Sequence, residues 1–303
     1  MFTPPTQAKF KLHDYGMLLV CAILWAGQAV AVKVAVHELL PWSMVCWRVM
    51  LSCAVVGVAA WVAGQSLKLE WKQWKWLVLN AAFLLSQIGL FTMGTELTTS
   101  VHSVVIINSF PFFTALFSHY FLADCPLQAR TFWGLVASFI GVCAVFGDQL
   151  TWPDAQALQG DLYILFAAAL MGGKITYVKA LLSTISPWKL VFWEALLCIP
   201  VSLLIAWTAE SWPLHSVSWR TATAVAYQGI AVSGIAFLLW LHLLTRHSPN
   251  DVTPFRLLTP VLGAGLGWLI LHEPLTPQVL IGGTLLAIGL YYVAHHRLEK
   301  TAV

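Results

Sequence analysis

The sequence predicts an all-α membrane protein of ten transmembrane helices, arranged as two five-helix repeats that enter the bilayer from opposite sides. Three observations carry this. First, apolar residues make up 59% of the 303 residues and charged residues only 10%, with a mean hydropathy of +0.78; soluble domains carry about 25% charge. Second, the apolar residues come in runs of roughly 20, the length a helix needs to cross the hydrocarbon core. Third, the chain repeats itself: Pro41-Trp42-Ser43-Met44-Val45-Cys46-Trp47-Arg48 returns 146 residues later as Pro187-Trp188-Lys189-Leu190-Val191-Phe192-Trp193-Glu194.

The runs are expected at 15–36, 42–63, 76–95, 101–122, 131–147, 161–182, 189–208, 221–244, 252–271 and 277–295. They are too long and too uniformly apolar for barrel strands, so each satisfies its backbone as a helix. The first run is too long for a signal-peptide core and has a counterpart in the second half, so it is expected to stay as span one. Of the 16 Lys and Arg, eleven fall in loops on one side of the proposed membrane. Only Arg220 falls on the other, and Lys33, Arg48, Lys174 and Arg256 lie within spans. That bias places both termini in the cytoplasm. The small cationic surplus points to no nucleic-acid partner. The six cysteines are scattered, without a CxxC pair, and read as small buried hydrophobes.

The repeat extends beyond the Pro-Trp stretch. Ala22 matches Ala168 and Lys33 matches Lys179 at the same offset, while Pro111 matches Pro260 at an offset of 149. Apolar stretches ending in Asp124 and Glu273 follow, then glycines seven apart: Gly134 and Gly141 against Gly282 and Gly289. The repeats are expected over 15–147 and 161–295, five spans each; because five is odd, the second is inverted.

These features together resemble the EamA-like family of the drug/metabolite transporter superfamily, over nearly the whole chain. Its carriers are Pro41 with Arg48, the span-four string "SVVIINSFPFFTALFSHYFLAD", and "LLTPVLGAGLGWLILHEPLTPQVLIGGTLLAIGLYY" at 257–292. The chain departs from the family pattern at Glu194, where the second repeat should carry arginine, and at Asp124-Cys125, where the first should carry glutamate. The resemblance implies a secondary transporter of the bacterial cytoplasmic membrane exporting amino acids, related metabolites or toxic compounds.

Catalytic and coupling signatures are absent from the sequence: no GxxxxGK[ST], HExxH, GxSxG or metal-spaced His/Cys cluster occurs. No cofactor or metal is therefore expected, and the chain is not read as an enzyme. The functional candidates are the intramembrane charges, each costing about 2.5–3.5 kcal/mol at the bilayer centre unless it faces a cavity or a partner. Lys174 is expected near the midplane, facing a cavity or substrate. Arg256, one turn before Pro260, is an anion contact. Arg48 anchors neighbouring carbonyls, and Lys33 either snorkels or gates. Glu194, the only carboxylate clearly inside a span, is expected to pair with Lys179, Lys189 or Arg256, or else to carry a coupling proton. Pro111 and Pro260 are read as mid-helix breaks of the kind transporters place near substrate. Gln28, Gln87, Asn108 and Tyr177 are polar cavity candidates, and Trp25 and Trp240 could stack on a planar or apolar substrate. Spans five and ten, with their small-residue faces, read as scaffold or a homodimer contact. The expected partners are a small-molecule metabolite and the lipid bilayer. A multidrug exporter, an integral-membrane enzyme and a non-transporting receptor are the competing readings.

Overall fold

The computed structural model describes residues 10–35, 38–98, 100–123, 125–145, 155–210, 217–271 and 277–300. Asp124, Glu273 and the Lys33 side chain lie outside the described residues. Ten helical rods follow the ten apolar runs. Spans one to three are Leu12–Ala35, Pro41–Val62 and Trp74–Leu97, span five is Ala129–Val145, and spans six and seven are Ala155–Leu181 and Pro187–Ala209. Span ten is Pro277–Lys300. Among the described residues, six helices are long and apolar enough to cross a membrane by length and composition, with shorter apolar helices at Ala129–Ala144 and Leu280–Gly289. Val58, Trp61, Leu204 and Trp207 are each at least 60% exposed. Such an apolar exterior would be a liability in water and is what a lipid-facing surface requires.

Both Pro-Trp stretches start helices, with proline in the first turn, where its missing N–H costs nothing. Their caps differ. Ser186 accepts from Lys189 N at 3.4 Å, a local cap. The first copy is capped from across the molecule: Glu210, just after span seven, accepts from Trp42 N (2.7 Å), Ser43 N (2.8 Å) and Ser43 Oγ (3.0 Å). A carboxylate there satisfies orphan donors and meets the positive end of the helix dipole.

Spans four, eight and nine are not single α-helices. Span four is Ser100–Ile107 and Phe110–Phe121, parted at Asn108-Ser109. Span nine runs through a short helix Pro249–Val252, a tight 3₁₀ stretch Thr253–Leu257 and the helix Leu258–Leu271. The prolines expected to bend continuous helices instead sit near the start of new ones, Pro111 as the second residue of its helix and Pro260 as the third. The physical reason is the same as for Pro41: the first turn needs no N–H. Span eight carries a wide π-helical middle, Tyr227–Ala236, between Trp219–Ala226 and Phe237–Arg246, which the sequence reading did not foresee.

The packing follows the repeat symmetry, with one helix exchanged from each half. Span six lies against spans three and four, and span one against spans eight and nine; span two packs on span seven, and span five on span ten. Close backbone approach sets several of these contacts. A Cβ on Gly94 would come within 2.8 Å of Gly160 O, and one on Gly160 within 2.7 Å of Gly94 O, joining spans three and six. Likewise a Cβ on Gly141 would meet Gly282 O at 2.6 Å, and one on Gly289 would meet Gly134 O at 2.6 Å. The small-residue faces of spans five and ten are thus filled by each other, so this seam is scaffold.

Candidate functional site

Between the helices lies a pocket lined by Leu84, Gln87, Met171, Lys174, Ile175, Val178, Phe237, Trp240, Leu241, Leu244 and Arg256. Four of the predicted residues therefore converge: Lys174, Arg256, Gln87 and Trp240. They come from spans six, nine, three and eight, so the pocket lies between the two exchanged bundles.

One of the lining residues, Lys174, belongs to an ion pair. Lys174 Nζ donates to Glu194 Oε1, with both side chains 8% exposed. This corrects the expected pairing of Glu194 with Lys179, Lys189 or Arg256. The reason is depth measured from the end the two helices share: span six ends at Leu181 and span seven begins at Pro187. Lys174 is therefore not at the helix midpoint but seven residues before its end, and Glu194 is seven residues after the start of span seven at Pro187. At about 1.5 Å per residue the two meet at one depth, roughly 10 Å from the shared end. Lys174 Nζ also stands 5.3 Å from the Phe237 ring.

Arg256 makes the opposite wall. It sits on the 3₁₀ stretch, where the turn is too tight to align with the following helix. Its guanidinium carbon lies 3.8 Å from the Trp25 ring centroid, 5.4 Å from Phe110 and 5.9 Å from Trp240. Trp25 and Trp240 meet edge to face at 5.2 Å, and Trp25 meets Phe237 at 6.0 Å. The tryptophans thus hold a planar cation by its face and leave its N–H edge for hydrogen bonding.

The other candidates are placed elsewhere. Arg48 Nε donates to Ser233 Oγ, linking span two to the π-helical part of span eight. Tyr177 donates to Trp76 O at 3.1 Å and packs on Phe83, outside the pocket lining. Asn108 Nδ2 turns back to Val104 O at 2.7 Å, at the point where span four breaks. Gln28 is half-buried on span one and does not line the pocket. Gln228 is buried with Nε2 3.5 Å from Met44 Sδ. Sequence reasoning passed over Phe237 as a wall residue, and it read Lys179 as a partner of Glu194 rather than of backbone carbonyls. Lys179 Nζ donates to Leu244 O and, at 2.8 Å, to His247 O. The signal for Lys179 was its place as the repeat partner of Lys33. Among the described residues no group of three or more His, Cys, Asp or Glu is placed to hold a metal.

A pocket between inverted, exchanged helix bundles, with buried charges and broken helices at its edge, defines a membrane transporter. The chain belongs to the EamA-like transporter family, whose model matches residues 15–147 and 158–294. It is similar to the uncharacterized transporter YoaV of Bacillus subtilis (strain 168), 22% identical over 90% of this chain and 94% of that one. Two proteins named as a probable amino-acid metabolite efflux pump are also similar. That of Escherichia coli (strain K12) is 25% identical over 92% of this chain and 93% of its own; that of Salmonella typhimurium (strain LT2) is 26% identical over 95% and 97%. A solved crystal structure superposes with a TM-score of 0.85 at 17% identity, covering 96% of this chain and 99% of that one, and supports the same fold. The chain is a multi-pass membrane protein of the drug/metabolite transporter superfamily.

Proposed function

We propose that the protein is a secondary exporter of small metabolites such as amino acids across the bacterial cytoplasmic membrane, with both termini in the cytoplasm and with alternating access about the pocket. The observation that carries this reading is that Arg256 and Lys174, the latter paired with Glu194 behind it, line one aromatic-walled pocket. An α-amino acid carries a carboxylate and an ammonium within one small group. The guanidinium of Arg256 suits the first, because its planar N–H fork matches a carboxylate. Glu194 suits the second, with Lys174 as the counterion displaced. The apolar walls formed by Phe237, Trp240, Leu241 and Met171 take the remainder of the molecule. The names of the Escherichia coli and Salmonella relatives support the substrate class, and the loop charge bias supports the orientation.

Glu194 is also the group we assign to proton coupling. Competition between Lys174, substrate ammonium and a proton for one carboxylate would link export to the pH gradient. An amphipathic cation suits the pocket less well, since Arg256 and Lys174 repel it. The test is flux of radiolabelled amino acids into proteoliposomes with and without an imposed pH gradient. Saturable flux that responds to the gradient is expected. Flux of amphipathic cations alone would favour a multidrug exporter, and no flux of either by folded protein would defeat the reading.

A further inference from the structure

The charges that face the pocket do not balance. Lys174 and Arg256 both line it, whereas among the described residues no carboxylate does, and Glu194 behind Lys174 is already taken by it. Arg48 adds to the same sign: it lies within electrostatic reach of both Glu194 and Arg256, and its own guanidinium donates to Ser233 Oγ. Among the described residues no carboxylate stands within ion-pair distance of Arg256, and no acceptor takes its N–H groups. Its contacts are with rings, the nearest being Trp25 at 3.8 Å. A ring stabilises the face of a guanidinium and leaves its N–H fork free for a carboxylate. Gln87, on span three, is another polar head in the lining, and its amide has no hydrogen-bond partner among the described residues. Most of the remaining wall is apolar, including Leu84, Ile175, Phe237 and Leu241.

A zwitterionic amino acid meets this pocket at a disadvantage. Its carboxylate suits Arg256, but its ammonium reaches a counter-charge only by displacing Lys174 from Glu194. Lys174 is then a buried charge without a partner, an arrangement that is strongly unfavourable. A ligand with one carboxylate and no ammonium avoids the exchange: it neutralises Arg256 and leaves the Lys174–Glu194 pair intact. From this balance we propose that the preferred substrate is a net monoanion with an apolar body and an uncharged polar group, the chemistry of an N-acylated amino acid. Its carboxylate sits on Arg256, its amide meets Gln87, and its apolar body lies against Phe237 and Leu241. Arg256 is then the residue that sets the charge preference. The proposal rests on the export reading above, and binding and flux are read separately so that each can fail alone.

Three ligands sharing one carbon body isolate the effect of charge: leucine has no net charge, N-acetyl-leucine is a monoanion and leucine amide is a cation. Each is titrated into the detergent-solubilised protein, with the rise in melting temperature as the readout of binding. N-acetyl-leucine is expected to act at a concentration at least about tenfold below that needed for leucine, the scale of one charge-assisted hydrogen bond. Leucine amide is expected to give no rise. Arg256→Gln is expected to abolish the preference for the anion, and Arg256→Lys to keep it in weaker form. Equal or better binding of leucine by wild type overturns the proposal, as does a rise with none of the three. A preference that survives in folded Arg256→Gln overturns the role of Arg256. Should Arg256→Gln fail to fold, an undiminished preference in Arg256→Lys does the same. Uptake of the same ligands into proteoliposomes separates the two readings. Binding of N-acetyl-leucine without uptake leaves the proposal and removes transport, whereas uptake of leucine with no preference for N-acetyl-leucine keeps export and overturns the proposal.

Discussion

The second helix of each repeat opens on the same Pro-Trp stretch, yet the residue seven places on is Arg48 in one and Glu194 in the other. The two side chains reach different neighbours and do different things. Arg48 reaches a neutral hydroxyl, Ser233, on the π-helical part of span eight, where Gly229 brings the backbones so close that an added Cβ would come within 3.0 Å of Arg48 O. Glu194 reaches a full charge, Lys174, at the pocket wall. One repeat uses the position to fasten a helix crossing and the other to build a charged site. Duplication therefore supplied the frame, and a single change of charge sign gave its two halves separate work. The difference also extends to the caps: Glu210 closes the first helix from afar, while Ser186 closes the second locally.

The largest expected effect comes from breaking the charged half of this comparison. Glu194→Gln leaves a buried ammonium unpaired, and a loss of about 3–5 kcal/mol is expected in the unfolding of detergent-solubilised protein. The double variant Lys174→Met/Glu194→Met removes both charges and is expected to return to within about 1–2 kcal/mol of wild type. If the two single losses add in the double variant, the pair is not a unit. The exchanged protein, Arg48→Glu with Glu194→Arg, sharpens the point. It places a third cation near Lys174 and Arg256, and is expected to be less stable than either repeat arrangement by a similar margin, read in the same unfolding assay.

The scaffold seam is expected to be next in size. Gly141→Leu forces apart spans five and ten where the backbones touch, at a cost of about 1–3 kcal/mol. Gel filtration should still show folded protein, with a lowered melting temperature and unchanged behaviour of the Lys174–Glu194 pair.

How much of this was legible in the sequence differs by level. The ten spans followed from apolar runs, and the inversion from an odd span count. The broken spans were signalled by Pro111 and Pro260, but proline alone does not say whether a helix bends or restarts. That was decided by Asn108 folding its amide back on Val104 and by the 3₁₀ turn ahead of Leu258. The π-helical stretch left no signal to read, since Tyr227–Ala236 continues the apolar run with only Gln228 and Ser233 as strongly polar interruptions. The Lys174–Glu194 pair was missed because the depth of Lys174 was counted from the far start of span six; counted from the end it shares with span seven, at Leu181 and Pro187, both residues are seven positions in. Pocket membership of Trp240 and Arg256 was foreseen as residue chemistry, but their mutual stacking depends on which turn of each helix faces inward.

A smaller effect is expected in the first turn of span one, where the Asp14 carboxylate accepts from Lys11 N at 2.8 Å and lies 3.4 Å from His247 Nε2. Asp14→Asn should cost about 1–3 kcal/mol at neutral pH, as thermal unfolding would show. Least of all, Ser186→Ala is expected to cost about 0.5–1 kcal/mol and Glu210→Ala about 1–2 kcal/mol; equal costs in the melting assay would deny that the two caps differ.

The claim on which the account turns is that the Lys174–Glu194 pair serves transport rather than stability. The most direct measurement is amino-acid flux into proteoliposomes by the Lys174→Met/Glu194→Met protein beside wild type. The account predicts a protein that unfolds near the wild-type temperature and transports at least about tenfold more slowly; a folded double variant with undiminished flux would contradict it.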